Sequence, residues 1–129
     1  MPKASKKRGI AEMADLTGLS RDTLRWYERE GLIPHVDRDH NGHRSYDDRA
    51  VVMVQLLVRL RRTGMPVARM RRYVELVMAG ESTHPERLEL LRRHRESVRG
   101  QLDQLTSDLD VLDRKIGVYQ HLIEEKERE

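Results

Sequence analysis

The chain has 129 residues, of which 36% are charged and 37% are hydrophobic, and it contains no cysteine. This length allows one modest domain with an extension but not two full-sized cores, and the missing thiols exclude disulfides, thiolate metal sites, iron–sulfur clusters and thiol redox sensing. Residues 1–72 carry 16 Lys and Arg against 9 Asp and Glu, a balance of +7, whereas residues 73–129 carry 9 against 13, a balance of −4. The first part is therefore the candidate for binding a polyanion.

The opening segment MPKASKKRG is basic and polar. We expect residues 1–8 to be a disordered tail, with an arm along DNA phosphates as the alternative. The segment lacks the apolar stretch of a signal peptide, and no apolar run in the chain approaches the roughly 20 residues that span a bilayer. We therefore expect no membrane contact and a cytoplasmic, nucleoid-associated location.

Two short helices are predicted next. The apolar residues of IAEMADLTGL recur on one side of a helix over about 10–17, which Gly18 interrupts. Ser20 offers its hydroxyl as the N-cap of a second helix over about 21–30, which Gly31 ends with a left-handed residue. Two short helices joined by a glycine-containing turn predict a helix-turn-helix.

The second of these helices carries a cationic face. Arg21, Arg25 and Arg29 recur at four-residue spacing, and Leu24 points to the opposite side. A slender helix of this kind fits the DNA major groove, where arginine donates two hydrogen bonds to guanine or clamps a phosphate. The alternative is a solvated helix face with intrahelical ion pairs.

A β-hairpin is predicted after this helix. Asn41 and Gly42 predict a two-residue turn, and the tip and outgoing strand carry His40, His43 and Arg44. A hairpin directly after a cationic helix indicates a second DNA contact, a wing over about 35–46. The histidines of this segment, His35 included, lack the spacing and carboxylate partners of a metal site, so we expect neither a metal nor a cofactor.

Two further helices form the predicted connector. Asp47 caps the first, which ends at about 63 before Gly64, and Pro66 begins the second, which ends at Gly80. Both have an apolar stripe that we expect to pack behind the first two helices, with Met70 and Met78 filling the core.

A long helix is predicted from near residue 84, where Thr83 and Glu86 are spaced as a capping box. Apolar residues then recur at alternating intervals of four and three, which gives a strip of roughly 55–60 Å at 1.5 Å per residue. A small domain cannot cover so long a strip, so we expect pairing with an identical helix, either parallel or antiparallel. The predicted dimerisation residues are Leu91, Val98, Leu102, Leu105, Leu109, Leu112, Ile116, Tyr119 and Ile123.

These motifs together resemble the MerR family of bacterial transcription regulators. The resemblance rests on IAEMADLTGLSRDTLRWYEREGLI, on RDHNGHRSYDD and on the terminal heptads, and it covers about residues 9–125. TLRWYEREGL is its most specific part, although Trp26 stands where the family usually has Tyr. NGHRSY is similar to the family's wing motif, although His43 stands where Tyr or Arg is more frequent.

The resemblance implies a mainly α fold. Its parts would be a winged helix-turn-helix domain over 9–80, with the helix-turn-helix over about 11–30, and an antiparallel coiled-coil helix over 81–125, followed by a tail over 126–129. It also implies a homodimer that distorts promoter DNA for RNA polymerase. The short extent beyond Ile123 and the lack of cysteine indicate the short type, without a separate effector domain and with its effector unknown. The residues assigned to DNA are Ser20, Arg21, Thr23, Arg25, Tyr27, His43, Arg44 and Tyr46, with Arg44 and Tyr46 also anchoring the wing.

The resulting prediction is a transcription regulator that binds an inverted repeat in duplex DNA as a homodimer. The alternative is an interaction adaptor, in which the coiled coil recruits a protein and the basic domain anchors non-specifically to DNA. An enzyme is not expected, because no Ser-His-Asp, paired-carboxylate or phosphate-loop constellation has usable spacing.

Overall fold

The computed structural model describes residues 7–34 and 36–129, so most of the predicted basic tail and His35 lie outside the described residues. The chain is mainly α-helical with one small sheet, which confirms the predicted fold class. Its elements in order are α1 (Ile10–Thr17), α2 (Arg21–Arg29), β1 (Val36–Arg38), β2 (Arg44–Tyr46), α3 (Asp48–Arg62), α4 (Val67–Met78), a short 3₁₀ turn (Glu81–Thr83) and α5 (His84–Arg128).

The predicted caps define the first helices. Gly18 ends α1 with a φ of 73°, a left-handed conformation that glycine adopts without a steric penalty. The Ser20 hydroxyl accepts a hydrogen bond from the Thr23 amide at 3.1 Å, and an Asp47 carboxylate oxygen accepts one from the Ala50 amide at 2.9 Å. Both predicted N-caps are therefore confirmed.

The hairpin forms where it was predicted, but its turn is longer. Strands β1 and β2 pair antiparallel, and Arg38 faces Arg44 at the last pair before the turn. The Gly42 amide donates to the Asp39 carbonyl at 2.9 Å, and the Asp39 amide donates to the His43 carbonyl at 2.8 Å. The predicted two-residue turn is wrong, because the Asp39 carboxylate accepts from the amides of Asn41 and His43 and closes a wider loop.

Arg8 is part of the hairpin. The amide and carbonyl of Arg8 exchange two 2.8 Å hydrogen bonds with Tyr46, so this residue extends the hairpin by one antiparallel bridge. The Arg8 guanidinium also donates to Asp48 at 2.7 Å. The prediction of a disordered tail is therefore wrong at Arg8, because neither β2 pairing nor the acid at the start of α3 is visible from the local composition.

One hydrophobic core joins the two short helices, the end of the hairpin and the connector. Leu24 of α2, Leu57 of α3 and Met70 of α4 are fully buried in it. Met70 was correctly predicted as core, but Met78 was not, because its side chain at the end of α4 is 55% exposed. The complete buried set of this cluster is Met13, Leu24, Tyr27, Leu32, Ile33, Tyr46, Ala50, Val51, Met53, Val54, Leu57, Leu60, Met65, Met70 and Val74.

The chain divides into two compact units, one ending at Leu91 and the other covering Arg92–Glu129. The first unit passes the predicted boundary at 80 and includes the start of α5, because Leu90 and Leu91 pack against the core cluster. Helix α5 has 45 residues and continues to Arg128, so the predicted tail over 126–129 is almost entirely helical.

The predicted capping box at the start of α5 is wrong. The Thr83 hydroxyl donates to the carbonyls of Leu76 and Gly80 at 2.5 and 2.7 Å, and it accepts from Arg87 Nε at 2.9 Å. Arg87 also donates to the Gly80 carbonyl at 2.7 Å. This buried threonine therefore satisfies the end of α4 across the turn, because the 3₁₀ turn places its side chain toward the preceding helix.

Replacement of Thr83 by valine tests this turn. Thr83→Val keeps the side-chain shape but leaves the Leu76 carbonyl without its donor, so we expect the free energy of unfolding to fall by about 1–3 kcal/mol in urea titrations. The matched control is Thr106→Val in α5, where an exposed hydroxyl donates to the Leu102 carbonyl at 2.9 Å. We expect the control to change stability by less than about 0.5 kcal/mol. Equal losses in both variants would contradict the assignment.

Candidate nucleic-acid interface

The exposed face of α2 carries three arginines. Leu24 and Tyr27 bury the opposite side of the helix, which leaves Arg21 and Arg29 exposed and Arg25 half-buried. Arg25 donates to Asp22 at 2.9 Å, but Asp22 is 94% exposed, so this pair is weak and readily exchanged for another anion. Within residues 7–34 and 36–129, Arg21 and Arg29 have no carboxylate partner. The face is therefore open to an external polyanion.

Ser20 and Thr23 begin the same helix and bind each other. The Ser20 hydroxyl donates to the Thr23 hydroxyl at 2.9 Å while it accepts from the Thr23 amide. Ser20 is exposed and Thr23 is half-buried. Their first role is thus to hold the N-terminus of α2, and both stay predictions as DNA ligands.

Two predicted DNA ligands lie in the core instead. Tyr27 is 2% exposed and Tyr46 is fully buried, so neither ring is presented to a partner at the surface. The structure contradicts their assignment as DNA contacts. The physical reason is that Tyr27 follows Leu24 on the inner side of α2, and that Tyr46 ends β2 where this strand packs against α1 and α3. The predicted anchoring role of Tyr46 agrees with this burial.

The Tyr46 hydroxyl is buried without a hydrogen-bond partner among the residues that the structure describes. Burial, reinforced by the negative charge of Glu28, raises the pKa of the Tyr46 phenol above its usual value near 10, against the opposing influence of Arg44, Arg25 and Arg38. This hydroxyl therefore stays protonated, close to the cationic side chains of the hairpin and α2.

The hairpin is joined to α2 by an ion pair. Arg44 of β2 donates from Nε to the Glu28 carboxylate, and both side chains are about one quarter exposed. Arg38 donates to the Gly42 carbonyl at 2.7 Å and stiffens the loop, at whose end His43 is exposed. The sequence placed Arg44 and His43 correctly on the outgoing side of the hairpin. It gave no sign that Arg44 binds Glu28.

A basic cleft of about 550 Å³ lies between the N-terminus of α1, α2 and the hairpin. Lys7 and Arg8 have acidic partners in Asp37 and Asp48, but these pairs leave the cleft predominantly cationic. An anion in this cleft would meet several guanidinium groups at once. The charged and histidine side chains lining it are Lys7, Arg8, Arg25, Arg38, His43 and Arg44, with Asp39 as the one acid among its lining residues.

Two further arginines contact α2 from the connector. The Arg61 guanidinium of α3 lies 4.2 Å from the centroid of the Trp26 ring, and Arg71 of α4 donates to the carbonyl of Glu30 at 2.9 Å and to its carboxylate. Neither contact was predicted from the sequence. The paired residues are 35 and 41 positions apart, and helical periodicity alone cannot pair residues at such distances.

The residues predicted for dimerisation are largely exposed. Leu105 is 65% exposed, and Leu102, Leu109, Leu112, Ile116, Tyr119 and Ile123 are between 53% and 61% exposed. Val98 is half-buried. Leu91 differs, because it is partly buried against the core of the first unit, and its place in the seam stays a prediction.

The described ranges, 7–34 and 36–129, contain neither a candidate metal cluster nor a candidate membrane span. No group of three or more His, Asp or Glu side chains there could hold a metal ion. No helix there is long and apolar enough to cross a membrane.

Tyr46 variants test whether this residue belongs to the core. Tyr46→Phe removes only the unpartnered hydroxyl, so we expect the free energy of unfolding to change by less than about 1 kcal/mol. Tyr46→Ala leaves a cavity, and we expect a loss of about 3–5 kcal/mol. Urea titrations followed by circular dichroism measure both values. A loss in Tyr46→Phe as large as that in Tyr46→Ala would show that the hydroxyl, rather than the buried ring, stabilises this region.

Two family models match the chain. The model for MerR family regulatory proteins matches residues 9–46, and the model described as MerR, DNA binding matches residues 51–115. The first match covers the helix-turn-helix and hairpin, and the second covers α3, α4 and most of α5. The two matches thus follow the order of elements in the structure.

Individual relatives agree with these matches. A helix-turn-helix transcriptional regulator of Haemophilus influenzae is 37% identical over 110 residues, which are 85% of this chain and 82% of that protein. The crystal structure of HiNmlR, a MerR family regulator lacking the sensor domain, bound to promoter DNA, is similar with a TM-score of 0.80 and 36% identity, covering 89% of this chain and 91% of that one. A protein from Listeria monocytogenes described as a MerR family transcriptional regulator gives a TM-score of 0.87 and 34% identity over 94% and 92% of the two chains. The chain belongs to the MerR family of DNA-binding transcription regulators, which are not enzymes.

Proposed function

We propose that this protein binds an inverted repeat in promoter DNA as a homodimer. The observation that carries the proposal is the cationic face of α2, where Arg21 and Arg29 have no acidic partner among the described residues and Arg25 has only an exposed one. Further support comes from the related HiNmlR, whose structure is bound to promoter DNA.

Helix α2 is the element that would enter the major groove. It is a nine-residue helix whose inner side is fixed by Leu24 and Tyr27, so its exposed face projects from a rigid base. Arginine on such a face can donate two hydrogen bonds to guanine. The basic cleft beside α2 would receive a backbone phosphate, because Arg25, Arg38 and Arg44 line it together. Thus α2 would read bases while the hairpin holds the backbone.

The second unit supplies the proposed dimer interface. The apolar side chains of its predicted seam recur every 3.5 residues on average, and those from Leu102 to Ile123 are between 53% and 65% exposed. Pairing two such strips removes this apolar surface from water and interleaves side chains between helices. We propose an antiparallel arrangement of the two helices, as the family resemblance implies.

Dimerisation would determine both the preferred DNA sequence and the way the protein distorts it. A two-fold dimer presents two copies of α2 to two half-sites, so its preferred target is an inverted repeat. Holding both copies on one face of the duplex permits bending and twisting of the promoter, whose cost depends on DNA sequence. We propose that RNA polymerase reads this distortion at the promoter and that the protein acts in the cytoplasm on the nucleoid.

An interaction adaptor is the second candidate function. The exposed strip of α5 could bind a different protein, and the basic face of α2 could anchor non-specifically to DNA. Equal affinity of the purified protein for an inverted repeat and for unrelated DNA of equal length would favour this candidate.

Loss of Arg21 tests DNA reading. We expect Arg21→Ala to weaken binding to the cognate inverted repeat by about 5- to 150-fold, equivalent to 1–3 kcal/mol, in fluorescence anisotropy titrations. The matched control is Arg114→Ala, which removes an exposed arginine from α5. Unchanged affinity in Arg21→Ala, or an equal loss in the control, would contradict the assignment of α2.

A charged residue in the seam tests dimerisation. Leu105→Lys places a cation where two apolar strips would meet, so we expect monomers in sedimentation at micromolar concentration and binding to the inverted repeat weakened at least tenfold. The control is Gln104→Lys, which adds the same charge at an exposed position outside the seam. A dimeric Leu105→Lys variant would show that the interface lies elsewhere.

A further inference from the structure

A carboxylate lies near the centre of the exposed face of α2. Successive residues of an α-helix are turned by about 100°, so Asp22 projects about 170° away from the midpoint between Leu24 and Tyr27 on the buried side. Its side chain is 94% exposed. The face that carries three arginines therefore also presents a negative charge, in the first turn of the helix.

Asp22 differs from the other carboxylates at this helix. Glu28 and Glu30 form ion pairs with the hairpin and with α4. The Oδ1 atom of Asp22 accepts a hydrogen bond from Arg25 at 2.9 Å, and no other donor in the described part of the chain binds this carboxylate. Because a carboxylate can accept about four hydrogen bonds, Asp22 keeps most of its acceptor capacity for a partner outside the chain.

The chemistry of the major groove limits what a carboxylate can bind there. Backbone phosphates repel it, and the edges of guanine and the O4 atom of thymine are acceptors that cannot donate to it. Cytosine offers its N4 amino group, which pairs with Asp or Glu side chains. Adenine also has an amino group, but its neighbouring N7 is an acceptor, so an amide side chain suits adenine better. Cytosine is therefore the base that fits Asp22 best.

We propose that Asp22 is a specificity-determining residue that accepts a hydrogen bond from the N4 amino group of a cytosine in each half-site. This inference rests on the proposed function and deepens it, because the first residues of a helix in the major groove are those that contact base edges. The exposed ion pair with Arg25 is weak, so both side chains can change partners on DNA. At any other base the carboxylate stays unpaired between phosphates, and this repulsion adds to the discrimination.

Selection from DNA duplexes that carry a randomised inverted repeat, followed by sequencing, tests this contact. We expect the wild-type protein to enrich cytosine at a position of each half-site where Asp22→Ala shows no preference, while all other preferences are kept. Fluorescence anisotropy with the selected duplex measures the size of the effect. Replacing that C·G pair should weaken wild-type binding by about 5- to 150-fold and Asp22→Ala binding by less than about twofold.

An asparagine variant changes the chemistry of this side chain with little change in its shape. Asparagine can form two hydrogen bonds with adenine, so selection with Asp22→Asn should shift the position from cytosine to adenine. The affinity of this variant for unrelated DNA of equal length should rise, because a charge that repels phosphates is lost. The matched control is Asp103→Asn, which removes an exposed carboxylate from α5 and should keep the wild-type base preferences.

The outcomes separate this contact from a structural role and from the proposed function. A negative charge in the first turn also stabilises a helix. If that were its only role, Asp22→Ala would lower the unfolding temperature and weaken binding to every sequence by the same factor. Base preferences that are all kept in Asp22→Ala would overturn the inference but leave the proposed function intact, provided that the wild-type protein enriches an inverted repeat. Wild-type protein that enriches no sequence would overturn both.

Discussion

The burial of Leu24 and Tyr27 against α1 and the connector is the interaction on which the candidate interface depends. These two side chains fix the rotation of α2 about its own axis, and that rotation decides which residues face outward. A change of one residue in this register would turn the helix by about 100° and carry Arg25 toward the core. The position of the cationic face is therefore set by apolar packing on the opposite side of the helix.

Two glutamates at the C-terminal end of α2 form ion pairs with arginines of neighbouring elements. Glu28 of α2 binds Arg44, and Glu30 at its C-terminal end binds Arg71, so these two carboxylates are directed toward neighbouring elements, whereas the exposed Asp22 pairs with Arg25. Arg21 and Arg29 remain available to an external anion. Such pairs contribute modestly to stability where they are exposed. Their larger effect is to place the hairpin and α4 at defined positions around one helix.

The two units have different surfaces, one suited to DNA and the other to a second copy of the chain. The first unit has a dense core and a cationic surface, whereas the second is nearly balanced, with 8 Lys and Arg against 9 Asp and Glu, and has an exposed apolar strip. This apolar strip favours a second copy of the chain, and the low net charge of the second unit gives it no strong attraction to DNA. In the proposed dimer, specificity for an inverted repeat arises from this separation, because each unit contributes only half of the recognition.

Local signals were sufficient to place the elements along the chain. Helices α1 and α2 and the start of α3 are defined by two N-caps, Ser20 and Asp47, and by two glycines at helix ends, Gly18 and Gly31. Such signals can be read from the sequence because a cap depends on residues only three positions apart. The family followed from TLRWYEREGL and NGHRSY. By contrast, the burial of Tyr27 and Tyr46, the bridge at Arg8 and the stacking of Arg61 on Trp26 were decided by tertiary packing. Most of these contacts join residues tens of positions apart. Which of these residues meet depends on the surfaces that the folded core brings together.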